Sequence, residues 1–330
     1  MASGQRILVA VSNVPGESML AWPALQCLIR SLPDAQIDLL AERSSAALAL
    51  LVPGISSVID ETNERYHQGM RAFRKELKSS HYDAYLCLSP KMRHHWLGWR
   101  LGIRKRCVPV LNFRRFWDGE AIGRPAEPIL LRHSYETVVN EFLVSVGVDP
   151  VLLNSPYFGD SSVICKHSSH PLIVVHPGAV NPSQNLDIDQ YRQLLASLNL
   201  VSGENEYVLY AYANELAYCR HLSQQLELDG IHCRIDEFCQ DWETAVKLFR
   251  DADLVIAEQG TILWMAGALD VPCVGFGPLP PGVESLRHPL ANPNRSLMFA
   301  PPSGRLTQED ISLINVTDSA VRIRRWFHQL

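Results

Sequence analysis

Apolar runs of four to six residues recur along the chain, each followed by a stretch of helical periodicity. Arg6–Val11 (RILVAV) is continuously apolar after its first residue, the pattern of a central parallel strand buried on both faces. Residues 21–32 follow with Leu25, Leu28 and Ile29 on one helical face. A strand at Gln36–Ala41, a short helix over 44–51 and a short strand over 58–60 come next. A charged amphipathic helix over 66–78 then leads to a strand at Ala84–Leu88. Such a march of strand and helix builds a parallel sheet sheathed by helices.

Between Arg114 and Pro128 the periodicity breaks on Gly119, Gly123, Pro125 and Pro128, which predicts a long loop. A helix over 133–146 follows, then an irregular stretch, 149–166, rich in turn formers. The second half repeats the grammar. Strands are predicted at 171–175, 206–211, 232–235, 254–257 and 273–276. Helices are predicted at 187–198, 214–228, 242–249 and 262–268. Residues 277–305 contain seven prolines and read as irregular, before terminal helices over 308–314 and 316–330. The fold class expected is α/β, with two Rossmann-like domains, 1–165 and 166–330, whose parallel sheets face a cleft between them. The terminal helix carries Trp326 and Phe327 near its end.

The length of 330 residues suits two domains of ordinary size. Thirty Lys and Arg against 35 Asp and Glu leave a net charge of −5, which argues against a nucleic-acid binder working through a generally basic surface. The eight cysteines stand singly, without a CxxC or CxxH pair, so no metal site is expected and reduced, buried thiols are. The start runs directly into the first strand without the long apolar region of a secretory signal. No apolar stretch reaches about 18 residues. A cytoplasmic protein is expected, with peripheral contact at a membrane surface left open.

Candidate chemistry sits where strands give way to helices. After the first strand comes Ser12-Asn13-Val14-Pro15-Gly16-Glu17-Ser18. Glu17 at the C-terminal edge of a sheet can act as a general base; equally, Glu17 or Ser18 can cap the helix. After the first strand of the second half comes His176-Pro177-Gly178-Ala179. Gly178 would let backbone amides approach a phosphate, though a Pro-Gly pair is also a plain turn. A third turn, Glu258-Gln259-Gly260-Thr261, opens a helix of small residues, and Gly277 bends the chain beside the same edge. A basic cluster spans Lys91 to Arg115, with eight Lys and Arg in 25 residues, among them Lys91, Arg93, Arg114 and Arg115, interleaved with Trp96 and Trp99. It reads either as a solvated helix face with a loop or as a seat for an anionic acceptor or membrane surface. There is no GxGxxG after the first strand, no Walker A sequence and no GxSxG elbow, which disfavours nicotinamide enzymes, P-loop NTPases and α/β-hydrolases.

Four stretches taken together carry a family resemblance: RILVAVSNVPGESMLAWPALQCLIRSLPDAQIDLLA, YDAYLCLSPKMRHHWLGWRLGIRKRCV, LIVVHPGAVNPSQNLDIDQYRQLL and DADLVIAEQGTILWMAGALDVPCVGFGP. In order and spacing the chain resembles the ADP-heptose:lipopolysaccharide heptosyltransferases, glycosyltransferase family nine of the GT-B class. The resemblance implies an inverting, metal-independent transfer of heptose or a related sugar from a nucleotide-diphosphate donor, ADP-heptose in the family, to a lipopolysaccharide core or similar anionic glycolipid. The donor would lie on the second domain and the acceptor on the first, at the cytoplasmic face of the inner membrane, and the terminal helix would return onto the first domain with Trp326 and Phe327 as its anchors. No cofactor is implied, since the nucleotide sugar is a substrate, and no nucleic acid.

By that resemblance Glu17 takes the place of the family's catalytic Asp after Gly16. Donor and phosphate contacts fall on His176, Gly178, Ala179, Ser183, Gln184, Glu258, Gln259, Gly260, Thr261 and Gly277. Acceptor contacts fall on Gly16, Ser18, Lys91, Arg93, Arg114 and Arg115. The sequence departs from the family at the donor positions. Gln184 stands near the place of a phosphate-contacting Lys, and no Lys or Arg occurs between Lys166 and Arg192. Glu258, Gln259 and Leu263 replace Asp, a hydroxyl residue and His. Three readings therefore stand: a divergent active transferase, a catalytically weak or inactive protein of the same fold that binds glycans or assembles with partners, and a sugar-nucleotide epimerase.

Overall fold

A computed structural model of the chain describes residues 4–62, 70–108, 128–151, 170–178, 185–198, 200, 205–239, 241–258, 260–277, 292–301 and 311–330. The chain divides into two compact units, Met1–Pro156 and Tyr157–Leu330. The division falls within the turn-rich stretch, ahead of the 165/166 boundary read from the sequence; residues 152–169 lie outside the described ones, as does the stretch 109–127 that includes the predicted loop.

The first unit runs β1 (Arg6–Val11), α1 (Pro15–Met19), α2 (Trp22–Ser31), β2 (Gln36–Ala41), α3 (Arg43–Ala49), β3 (Ser57–Asp60), α4 (Met70–Ser79), β4 (Ala84–Leu88), α5 (Met92–Leu101), β5 (Lys105–Cys107) and α6 (Pro128–Ser145). The five strands are all parallel, in the order β3-β2-β1-β4-β5. The strand order reverses at β1, where chain connections run outward on both sides; open parallel sheets bind ligands at such a point, beyond the strands' C-terminal ends. Leu8, Ala10, Tyr85 and Cys87 pack with Phe73, Leu77, Leu97 and Leu101 of α4 and α5 in a core on one face. The one charge inside β2, Asp38, is 2% exposed. It accepts from Arg6 Nη2 at 3.0 Å, Tyr82 Oη at 2.9 Å and Ser57 Oγ at 2.6 Å, which ties β1, β3 and the start of β4 to β2.

The second unit contains β6 (Leu172–His176), α7 (Ile188–Ser197), β7 (Glu206–Ala211), α8 (Leu216–Leu228), β8 (Cys233–Glu237), α9 (Trp242–Asp251), β9 (Leu254–Glu258), α10 (Thr261–Ala268), β10 (Cys273–Phe276), β11 (Ser296–Phe299) and α11 (Val316–Phe327). Its six strands are parallel in the order β11-β10-β9-β6-β7-β8. The reversal point is at β6 and β9, which carry His176 and Glu258 at their ends.

Among the differences from the sequence reading, which include the short α1 and the start of α6 at Pro128 instead of 133, three have identifiable reasons. β5 consists of Lys-Arg-Cys and has no apolar run, because it is an edge strand with solvent on one side. β11 lies inside the proline-rich stretch read as irregular; it is the other sheet's edge, paired with β10 from Cys273↔Ser296 to Phe276↔Phe299. α11 places Val316, Ala320, Ile323 and Phe327 in the second unit's own core, and Trp326 Nε1 donates to the Asn294 carbonyl at 3.1 Å. The anchors expected to hold the terminal helix to the first domain are thus engaged within the second. Among the described residues, no helix is long and apolar enough to cross a membrane.

Candidate active site

In the first unit the site grows from the end of β1. Pro15 at the first helical position starts α1, so Val14 is the N-cap and no side chain caps the helix. Glu17 therefore is not a cap. Its half-buried carboxylate turns back over the strand end and accepts from Ser12 Oγ at 2.7 Å. Ser12 is itself buried and receives the Val14 amide at 3.3 Å, so its hydroxyl has a fixed direction. Tyr135 of α6 is fully buried, and its hydroxyl has no hydrogen-bond partner among the described residues. Burial pushes its ionisation up, and so does the charge of nearby Glu17. Of the acceptor residues read from the sequence, Gly16 is buried in α1. Ser18 Oγ donates to the Pro15 carbonyl at 2.7 Å, a local engagement that leaves the hydroxyl facing inward.

Beside Glu17, four strand ends bring together a polar network that the sequence reading missed. Asn13 Nδ2 donates to Glu42 and, at 2.7 Å, to Glu61 Oε1. Arg93 Nη2 bridges the same two carboxylates at 2.8 and 2.6 Å, and Lys91 Nζ lies 3.5 Å from Glu42. His94, buried, sets Nε2 at 3.2 Å from Glu61 Oε1 and Nδ1 at 2.8 Å from Ser89 Oγ. Burial would raise the Glu61 carboxyl, but the hydrogen bond and charge of His94, the Arg93 guanidinium and the Asn13 amide outweigh it and hold it below the usual carboxylate range. The Glu61–His94–Ser89 chain is no nucleophile relay, because Ser89 is completely buried. Lys91 and Arg93 are thus paired within the protein. Arg114 and Arg115 lie outside the described residues. The available signal was positional: Asn13, Glu42, Glu61 and Ser89 each stand within two residues of a strand's C-terminus.

In the second unit His176 ends β6. Its Nδ1 lies 2.8 Å from the Tyr210 carbonyl, which can only accept, so Nδ1 carries the proton and Nε2 offers a lone pair. Burial lowers the imidazole's pKa against the opposing charge of Glu215 and the Tyr210 hydrogen bond. His176 is therefore neutral near pH 7 and offers an anion no positive charge. Gly178 lies so close to the Glu215 carboxylate that a Cβ would collide with it. Glu215 in turn accepts from the Tyr212 amide at 2.9 Å.

Glu258, at the end of β9, is 3% exposed. Its Oε1 accepts from the Leu186 amide at 3.0 Å and Tyr191 Oη at 2.8 Å, while Oε2 has no partner among the described residues. Burial raises its pKa to about 8 despite those two hydrogen bonds. Gly260 precedes α10, which has no side-chain cap, and Thr261 is its first residue. α7, by contrast, is closed by a capping box between Asp187 and Gln190. Gly277, in the left-handed region at φ 150°, donates its N–H to the Phe299 carbonyl at 3.0 Å. Ala179, Ser183, Gln184 and Gln259 lie outside the described residues. The edge thus gathers His176, Gly178, Glu258, Gly260 and Thr261 around β6 and β9. A cavity of about 440 Å³ opens at the same edge of the sheet, beyond β7 and β8, lined by Tyr210, Asp236, Glu237, Phe238, Asp241 and Thr244. Among the described residues, no group of three or more His, Cys, Asp and Glu is placed to hold a metal ion.

Comparison with solved structures gives this architecture a precedent. The Escherichia coli ADP-heptose lipopolysaccharide heptosyltransferase II superposes with a TM-score of 0.73 at 19% identity, covering 98% of this chain and 99% of that one. The chain has the fold of the family-nine heptosyltransferases. Consistent with that, E. coli heptosyltransferase WaaC, in a structure with ADP, gives a TM-score of 0.70 at 16% identity over 99% of this chain and 100% of its own. A family-nine glycosyltransferase from Veillonella parvula gives 0.71 at 13% identity over 99% and 98%. In sequence, a Haemophilus influenzae protein provisionally described as a glycosyltransferase is 24% identical over 346 residues, 97% of this chain and 96% of that protein. No family profile matches the chain. The heptosyltransferase fold accounts for the two parallel sheets, each flanked by helices, and for candidate residues clustering at each sheet's C-terminal edge.

Proposed function

We propose that the chain is a glycosyltransferase that moves a sugar, heptose or a related one, from a nucleotide-diphosphate donor to an anionic glycolipid such as a lipopolysaccharide core. The observation that carries this reading is the carboxylate of Glu17, oriented by Ser12 at 2.7 Å at the reversal point of the first sheet, in a chain of heptosyltransferase fold. Glu17 takes the proton of the acceptor hydroxyl as that oxygen bonds to the anomeric carbon. The bond from that carbon to the diphosphate breaks, and its electron pair leaves on the phosphate oxygen, so the anomeric configuration inverts. Ser12 keeps Glu17 aimed by donating to Oε2 and retains its own hydroxyl proton through the step.

The donor belongs to the second unit. The cavity of about 440 Å³ is large enough for a nucleoside, and Phe238 and Tyr210 supply flat apolar walls for a base. The diphosphate is met by backbone amides at the uncapped start of α10, behind Gly260, where the helix dipole favours negative charge. In keeping with the family resemblance, the reaction needs no metal. A second reading, a catalytically weak or inactive protein that binds glycans or assembles with partners, is favoured by one observation: His176 is neutral and no Lys or Arg stands between Lys166 and Arg192 to face the leaving group. Losing such a cation costs on the order of 10²–10³-fold in rate.

Calorimetric titration with ADP-heptose, UDP- and GDP-sugars and ADP, in EDTA and again with magnesium, separates the two. Micromolar binding of one nucleotide sugar, unchanged by EDTA, followed by turnover that Glu17→Gln abolishes without weakening donor binding, is the expected result. Donor binding with no turnover on any lipopolysaccharide acceptor would favour the second reading, and no binding across the panel would sink the donor assignment.

A further inference from the structure

The basic cluster of the first unit falls into two parts with different electrostatic fates. At the N-terminal end of α5, Lys91 and Arg93 are paired with Glu42 and Glu61. At its C-terminal end, Arg100, Arg104, Lys105 and Arg106 are all exposed, and among the described residues none of them pairs with a carboxylate. The sequence offers them no local partner, since no Asp or Glu occurs between Asp83 and Asp118. Four cations without a carboxylate partner among the described residues lie within seven positions and form a positive surface on a chain of net charge −5; Arg106 Nη1 donates to the neutral Ile103 carbonyl at 2.8 Å, which leaves its charge uncompensated.

The same helix exposes two large apolar side chains. α5 buries His94, Leu97, Gly98 and Leu101, the spacing of one helical face, and Gly98 is where the helix backbone presses on the Tyr85 ring. That packing turns the opposite face outward. Trp96 is 50% and Trp99 61% exposed, with ring centroids 6.2 Å apart at an interplanar angle of 80°. Tryptophan is ordinarily well buried, and an exposed indole, apolar in body and polar at its N–H, is suited to a bilayer's headgroup region. Charge on the edge strand β5 by itself would be explained as a guard against strand addition. That account leaves the two tryptophans, one turn apart and directly beside the cations, without a reason.

We propose that the outer face of α5 and the basic run that ends in β5 dock on a bilayer containing anionic phospholipid, the indoles entering the headgroup layer and Arg100, Arg104, Lys105 and Arg106 facing the lipid phosphates. The contact is peripheral, through one ten-residue helix lying along the surface. It holds whether or not the chain transfers a sugar, because none of these residues belongs to the donor or base sites.

The test is co-sedimentation of the full-length protein with vesicles of phosphatidylcholine mixed with phosphatidylglycerol, against pure phosphatidylcholine. The protein should partition to the mixed vesicles only and be released by high salt. Each cation near an anionic surface contributes about fivefold, so Arg100→Gln/Arg104→Gln/Lys105→Gln should lower partitioning by about 100-fold. Trp96→Ala/Trp99→Ala should lower it by about tenfold or more. All five side chains are solvent-facing, so melting temperature and donor titration should match the unsubstituted protein. Equal partitioning to both vesicle types, or unchanged partitioning of the Gln variant, overturns the proposal. So does a concentration-dependent dimer in sedimentation equilibrium that the Trp variant abolishes, since the face would then be covered by a second copy.

Discussion

Replacing Glu258 by Gln should make the protein more stable at alkaline pH and leave it nearly unchanged in mild acid. Glu258 sits at the end of β9, 3% exposed, with one carboxyl oxygen held by Leu186 and Tyr191 and the other without a partner among the described residues. Burial raises its pKa from the ordinary 4.5 to about 8. A carboxyl whose pKa is raised by folding binds its proton more tightly in the native state. Its contribution is therefore complete below about pH 4.5 and is lost as pH climbs through about 8. A rise of about 3.5 units corresponds to about 5 kcal/mol in full, of which about 4 kcal/mol falls between about pH 5 and about pH 9. Gln is isosteric, keeps an oxygen for the Leu186 amide and the Tyr191 hydroxyl, and does not titrate. Urea unfolding of both proteins across this range, followed by a probe in the second unit, should show curves that coincide below about pH 4.5, diverge steadily as pH rises, and run parallel again above about pH 8. Curves parallel throughout would refute the assignment. The same ionisation bears on function. A neutral Glu258 adds no negative charge two residues before the Gly260 turn, so anionic donor binding should weaken as pH passes about 8 in the unsubstituted protein and not in the Gln variant.

Three further substitutions test separate parts of the structure. Ser12→Ala removes the hydroxyl that orients Glu17, a hydrogen bond to a charged group worth about 1.5–3 kcal/mol, so kcat should fall about tenfold or more with the donor Kd unchanged; a matching loss in both would show a structural role alone. Gly178→Ala drives a methyl group into the Glu215 carboxylate and should displace it from the Tyr212 amide, lowering donor affinity in calorimetry by about tenfold while the first unit's melting is unaffected. Phe327→Ala empties a buried position where α11 meets the second unit's core and should cost that unit about 3–5 kcal/mol in urea unfolding, a loss below about 1 kcal/mol contradicting the packing described for the terminal helix.

The two halves of the basic cluster carry a wider lesson about charge read along a chain. Lys91 to Arg106 form one run in sequence, yet Arg93 bridges two carboxylates contributed by the ends of β2 and β3, and Arg100 faces solvent one helix length away. A net positive segment is thus part scaffold and part free surface. The paired part braces the chain at the ends of β1, β2 and β3, a rigid support of the kind the base proposed at Glu17 would need.

Buried parallel strands were legible from sequence, because each must be apolar on both faces: the runs at β1, β4, β7 and β10 coincide with their observed bounds. So were most helices between them, from periodicity, and the strand-to-helix turns bearing Glu17, His176 and Glu258. A tight turn after a buried run is a local signal. The edge strands β5 and β11 were not legible, since a strand with one open side needs no apolar run and its identity comes from the neighbour it pairs with. Nor could sequence show that Asn13, Glu42, Glu61, Arg93 and His94 form one network. Their separations along the chain reach 81 positions, between Asn13 and His94, and only the order β3-β2-β1-β4 makes them neighbours. The same holds for Glu258, whose position in a turn suggested a ligand contact. Tertiary packing instead surrounds it with the start of α7 and Tyr191, and desolvation at that place, which no local pattern encodes, decides its charge.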